Sequence, residues 1–86
     1  MTPGYRVFVA VDVVAAIRQC NPSERRGIML LLEQLAQDPY RSGDYVESDE
    51  IGRPIQVVIT GRNAICFWAD HAVREVKVLD LKPAGR

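Results

Sequence analysis

The stretch VVITGRNAICFWADH, Val57 to His71, decides how the rest of the chain is read. Val57–Thr60 and Asn63–Ala69 are short runs rich in β-branched and aromatic residues, and Gly61-Arg62 between them has the length of a two-residue hairpin turn. Successive side chains of a strand point to opposite faces, so Phe67 and Trp68 must part company. One enters a core and the other lies on an open face, where an aromatic ring can stack on a base or seat a partner. The same alternation groups Ile55, Val57 and Ile59 against Gln56, Val58 and Thr60. The second set is mixed rather than charged, and as an open face it suits a protein partner better than RNA.

Working outward, Pro54 stands at the entrance of the strand Ile55–Thr60, where its missing N–H is tolerated. Asp70-His71 supplies a second turn, and REVKVLDL (Arg74–Leu81) a third strand, giving an antiparallel meander. Upstream, YRVFVAV (Tyr5–Val11) reads as a first strand, with Asp12 as the cap of a helix. Val13, Ala16, Ile17 and Cys20 follow at the spacing of one helix face. Asn21-Pro22 ends that helix and opens another, with Asn21 or Ser23 as cap and Pro22 able to take the first helical position. Ile28, Leu31, Leu32 and Leu35 form the apolar face of the second helix, and Asp38-Pro39 stops it. Tyr40 to Gly52 reads as a polar loop. The fold class is α+β, in the order β-α-α-β-β-β: an N-terminal strand and a three-stranded antiparallel meander with a helical hairpin packed on one face. Residues 1–86 make a single domain, with 82–86 a flexible tail.

The chain has 86 residues, 48% hydrophobic and 26% charged, with no net charge. That charge is unevenly spread: Asp44, Glu47, Asp49 and Glu50 fall within seven residues that hold no base. Six bases from Arg53 onward outnumber three acids. A neutral chain lacks the strong basic patch by which proteins live on phosphate backbones. Nine of the eleven bases are arginine, the side chain suited to forked contacts with phosphate or carboxylate. Cys20 and Cys66 make no metal spacing and read as reduced, buried thiols. No apolar run reaches the roughly 18–20 residues of a membrane span, and the expected location is the cytoplasm.

LLEQLAQDPY (Leu31–Tyr40), IGRPIQVVITGRNAICFW (Ile51–Trp68) and VREVKVLDL (Val73–Leu81), in this order, resemble the RelE/ParE superfamily of small toxins from bacterial toxin–antitoxin pairs, a group associated with plasmid stabilisation. The resemblance covers nearly the whole chain. It implies a cognate antitoxin that lays an extended or helical segment on the sheet and helices, and no cofactor. In the RelE-like branch it implies a ribosome-dependent mRNA interferase that inhibits translation, a metal-free endoribonuclease in which the ribose 2′-OH attacks the neighbouring phosphate. In the ParE-like branch it implies a gyrase poison. The residues themselves leave open a non-catalytic binding module on the same fold, and a homodimer through the apolar sheet face.

Carried over residue by residue, Arg62 matches the arginine that the nuclease branch keeps near its central hairpin, where it would grip the scissile phosphate. Taken alone, Arg62 is a solvated turn residue. Glu47 and Glu50, with Asp49, occupy the loop where some members keep an acidic general base; alone they form a solvated acidic loop that can pair with Arg53. The family's C-terminal histidine or tyrosine acid has no counterpart in LDLKPAGR. Lys82 takes that place only if its pKa is strongly lowered, and Arg86 does not give up its proton. Arg53, Trp68 and Arg86 are the candidate substrate contacts. His71 falls about 16–23 Å from Arg62 along the intervening strand, too far for one site, and reads as a structural or exposed turn histidine.

Overall fold

A computed structural model describes residues 4–84. The elements run β1 (Arg6–Val9), α1 (Val11–Gln19), α2 (Pro22–Gln37), β2 (Tyr45–Ser48), β3 (Pro54–Thr60), β4 (Asn63–Asp70) and β5 (Glu75–Pro83). They build one five-stranded sheet in the order β1-β5-β4-β3-β2. β1 lies parallel to β5, and every other neighbouring pair is antiparallel. The α+β class and the meander are as the sequence predicts.

The expected helix face of α2 is the buried one: Ile28, Leu31, Leu32 and Leu35 meet Val13 of α1 and Val58, Ile65, Phe67, Val76 and Val78 of the sheet. Each large apolar side chain sealed there contributes about 2 kcal/mol. Asn21 caps α2 in a reciprocal capping box: its side chain accepts from the Glu24 N–H, and the Glu24 carboxylate accepts from the Asn21 N–H. Pro22 sits in the first turn. The first helix is capped by Ala10 rather than Asp12, which falls inside the first turn, where a negative charge suits the helix dipole.

Three differences from the sequence reading bear on the site. First, part of the expected polar loop is a strand. β2 pairs with β3, Tyr45 opposite Val57 and Glu47 opposite Ile55. It is anchored by the Asp44 carboxylate, which accepts from the Ile59 N–H at 2.7 Å. Gly43 makes this approach possible, because a Cβ there would lie 2.5 Å from the Val57 carbonyl oxygen. A four-residue edge strand bearing an acid has too little apolar pattern to announce itself.

Second, the two faces of β3 are exchanged. Val58 belongs to the helix-packed core, with Thr60 against Gly27 of α2. Ile55 and Val57 lie on the open face, in a small cluster with Ala64, Cys66 and half-buried Trp68. The helices cover whichever face carries Phe67, and cross-strand pairing fixes the rest. Phe67 and Trp68 part as expected.

Third, β5 runs on through Pro83, and the Ala84 N–H donates to the Arg62 carbonyl at 2.8 Å. Lys82 and Pro83 therefore belong to the sheet rather than to a tail. A register shift lies in this pairing. Phe67 is opposite Val78 and Cys66 opposite Asp80, so Leu79 is an extra residue. Such a bulge re-aims the side chains that follow. It places Asp80 and Lys82 on the open face, where strict alternation from Val78 would have turned them under the helices.

Candidate functional site

The open face has two ends, separated by the seven residues of β3, about 20 Å at strand rise. Arg62 and Lys82 lie toward the β3–β4 turn, Lys82 opposite Ala64, whereas Glu47, opposite Ile55, is based near the other end of β3 and reaches back across the open face to Lys82. Gly61 has φ +60°, the left-handed conformation glycine adopts freely, and leaves Arg62 exposed at the tip. The Lys82 ammonium donates to both Glu47 oxygens, at 3.0 and 3.2 Å. Both side chains keep over a third of their surface open. The hydrogen bond to Glu47 pushes the Lys82 pKa above its ordinary value, outweighing the opposing effect of burial. Lys82 is thus placed to attract an anion but holds its proton tightly. Cys66, opposite Asp80, is buried, and desolvation pushes its thiol pKa up.

Glu50, Arg53 and Trp68 lie at the other end, where the β2–β3 turn meets the end of β4. Glu50 is exposed in that turn. Asp49 organises the turn, accepting from the Ile51 N–H at 3.0 Å, the Arg53 N–H at 2.8 Å and Arg53 Nε at 2.8 Å. Burial raises the Asp49 pKa, but these bonds from Arg53 and Ile51 outweigh it and hold the carboxyl below its usual value. Arg53 lies over the Trp68 ring, 4.2 Å from its centroid, and the Lys77 ammonium sits 5.2 Å from the same ring. The structure thus brings Arg53 and Trp68 together and joins Glu47 to Lys82, while Arg62 and Glu50 stand exposed in the turns at opposite ends of β3. Arg86 lies outside the described residues.

Sequence reasoning missed a second group at this end. The Tyr40 and His71 rings stack at 4.4 Å and 8°, and the Tyr5 hydroxyl lies 2.9 Å from His71 Nδ1. The Arg74 guanidinium is 5.7 Å from the Tyr5 ring. Tyr5 has a raised pKa, chiefly through its hydroxyl contact with Tyr40. His71 is exposed in its turn, as expected, but it has aromatic company. Only the parallel pairing of β1 with β5, invisible in local sequence, joins residues 66 positions apart. Among the described residues no group of His, Cys, Asp or Glu is arranged to hold a metal ion, and no helix is long and apolar enough to cross a membrane.

Over 96% of its length the chain superposes on the archaeal RelE of the RelE–RelB complex from Pyrococcus horikoshii, covering 98% of that chain, with a TM-score of 0.82 at 20% identity. The chain has the RelE fold. A chain of the toxin–antitoxin complex RelBE2 from Mycobacterium tuberculosis matches with a TM-score of 0.77 at 15% identity, covering 93% of this chain and 98% of that one. A mutant of the E. coli toxin RelE in the free state matches at 0.70 and 9% identity, covering 94% of this chain and 84% of that one. No protein-family model and no curated protein matches by sequence. On this RelE fold, Arg62 and Lys82 lie at one end of the sheet, Arg53, Trp68, Tyr40 and His71 lie at the other, and the Glu47–Lys82 bridge spans the open face between them.

Proposed function

We propose that this chain is the toxin of a toxin–antitoxin pair, held silent by a cognate antitoxin. The observation that carries this reading is the whole-length likeness to RelE structures, two of which were solved as complexes. The apolar residues left exposed on the helices, Val11, Val14, Met29 and Leu30, offer a protein partner something to cover.

In the first reading of its action, the toxin is a translation-inhibiting, metal-free mRNA endonuclease. Arg62 grips the scissile phosphate and steadies the developing charge, Glu47 takes the proton from the 2′-OH as it attacks, and Lys82 gives a proton to the leaving 5′ oxygen. Arg86 is a supporting contact, and Glu50, Arg53 and Trp68, at the opposite end of β3 from Arg62, would meet a substrate strand only beyond the scissile site. A second reading, a non-catalytic toxin that acts by binding a protein such as gyrase, is favoured by one specific feature. Lys82 is tied to Glu47 with its pKa raised, and so makes a poor acid for the leaving 5′ oxygen.

Inducible expression of wild type beside Arg62→Ala, reading growth and mRNA integrity together, tests both. Arrest with cleaved mRNA, relieved by Arg62→Ala, supports the nuclease. Arrest with intact mRNA supports the binding toxin. Unimpaired growth at good soluble expression refutes the toxin assignment itself.

A further inference from the structure

We propose that the cleft at the far end of the sheet from Arg62 binds a nucleotide, an aromatic base joined to a phosphate, either free or as one unit of a single strand. This is a site separate from the Arg62 end, and the proposal stands whether or not the chain is a toxin. The cleft measures about 320 Å³ and is lined chiefly by Tyr40, Arg41, Arg53, Phe67, Trp68 and His71. That is near the lower limit of small-ligand pockets, room for a single ring-bearing unit.

Three observations point to a nucleotide. Two stacked pairs flank the cleft, Tyr40 on His71 and Arg53 on Trp68. Flat surfaces of these types, aromatic rings and guanidinium planes, are what unpaired bases stack on. Two guanidiniums, Arg41 and Arg53, line it, and no carboxylate does. A phosphate suits the guanidinium fork better than it suits a lone ammonium. The two arginines are also held in place. Arg53 is fixed through Nε by Asp49, and Arg41 donates to Gln34 Oε1 at 3.1 Å. Tyr40 is 72% exposed and His71 is exposed, so a ligand reaches the aromatic wall without opening the fold.

The chain contains one tryptophan and one histidine, and both line this cleft, so each gives a single unambiguous NMR signal. The full chain is titrated with AMP, adenosine, inorganic phosphate and a single-stranded adenosine oligonucleotide. AMP should shift the Trp68 indole N–H and the His71 ring signals saturably, with adenosine and phosphate each at least tenfold weaker. Tyr40→Ala and Arg53→Gln should each weaken AMP about tenfold while keeping a dispersed spectrum, a combination of stacking and charge terms. Arg26→Gln, which removes an exposed charge on α2, should leave AMP binding unchanged. An oligonucleotide that outbinds AMP identifies a strand as the source of the nucleotide, and equal affinity identifies the free nucleotide. No saturable shift at about 1 mM AMP, a concentration that half-fills even a site of millimolar Kd, overturns the proposal. So does phosphate binding as well as AMP, or Arg26→Gln weakening AMP as much as Arg53→Gln does.

Discussion

Phe67 and Trp68 are neighbours on β4 with opposite fates. Phe67 is 1% exposed, sealed between the sheet and the helices with Ile28, Leu35 and Val76. Trp68 stands half-buried on the open face, with Arg53 and Lys77 over its ring. One strand thus holds the fold together with one set of side chains and offers its chemistry with the other. Phe67→Ala should therefore have the largest effect on stability, about 3–5 kcal/mol, from lost burial and the cavity left behind. In a domain this small that loss approaches the whole of its stability, and denaturant titration should find the variant largely unfolded. Trp68→Ala on the same strand should cost less, about 1–3 kcal/mol, because the ring is already part-solvated and its cation contacts are modest. Equal losses from the two would break the distinction between the faces.

The ion pair on the open face sharpens the same contrast. Lys82→Met should change stability at neutral pH by no more than about 1 kcal/mol, since a pair this exposed is screened by water. Its pH dependence is more informative. Lys82 has a folded pKa above its ordinary 10.5, so the bridge stabilises fully below that value and is lost as pH rises through the folded pKa. The stability difference between wild type and Lys82→Met should be flat from neutral pH to about 10 and fade above it. A difference that already fades between pH 7 and 9 would mean that Lys82 titrates low enough to serve as an acid, and would restore it to that role.

The parts that could be read from the sequence are those with local pattern. The capping box at Asn21, the leucine face of α2 and the hairpin at Gly61-Arg62 each carry their cause within a few residues. What stayed hidden depends on distant pairing. The exchange of the β3 faces follows from which side the helices cover, and nothing within Ile55–Thr60 states it. The bulge at Leu79, which turns Lys82 toward Glu47, is set by β4 rather than by the sequence of β5. Tyr5, Tyr40 and His71 meet because β1 lies beside β5, a parallel pairing made through two helices and three strands. The separation of His71 from Arg62 was legible, because strand rise alone fixes it.

Arg62→Ala should have the smallest structural effect and decides most about action. The side chain is exposed, and the contact recorded at this position, the Ala84 N–H to the Arg62 carbonyl, belongs to the main chain and survives the substitution. Gly61 keeps the turn its left-handed conformation. Stability should change by no more than about 0.5 kcal/mol, the usual range for a surface substitution clear of caps and pairs. Arg53→Ala, by contrast, removes a guanidinium stacked on Trp68 and bonded to Asp49, and should both loosen the β2–β3 turn and lower stability measurably. If growth arrest is lost in Arg62→Ala at unchanged stability, the arginine acts on a target and not on the fold. If arrest persists there and is lost in Arg53→Ala, the working end of the sheet is the aromatic one.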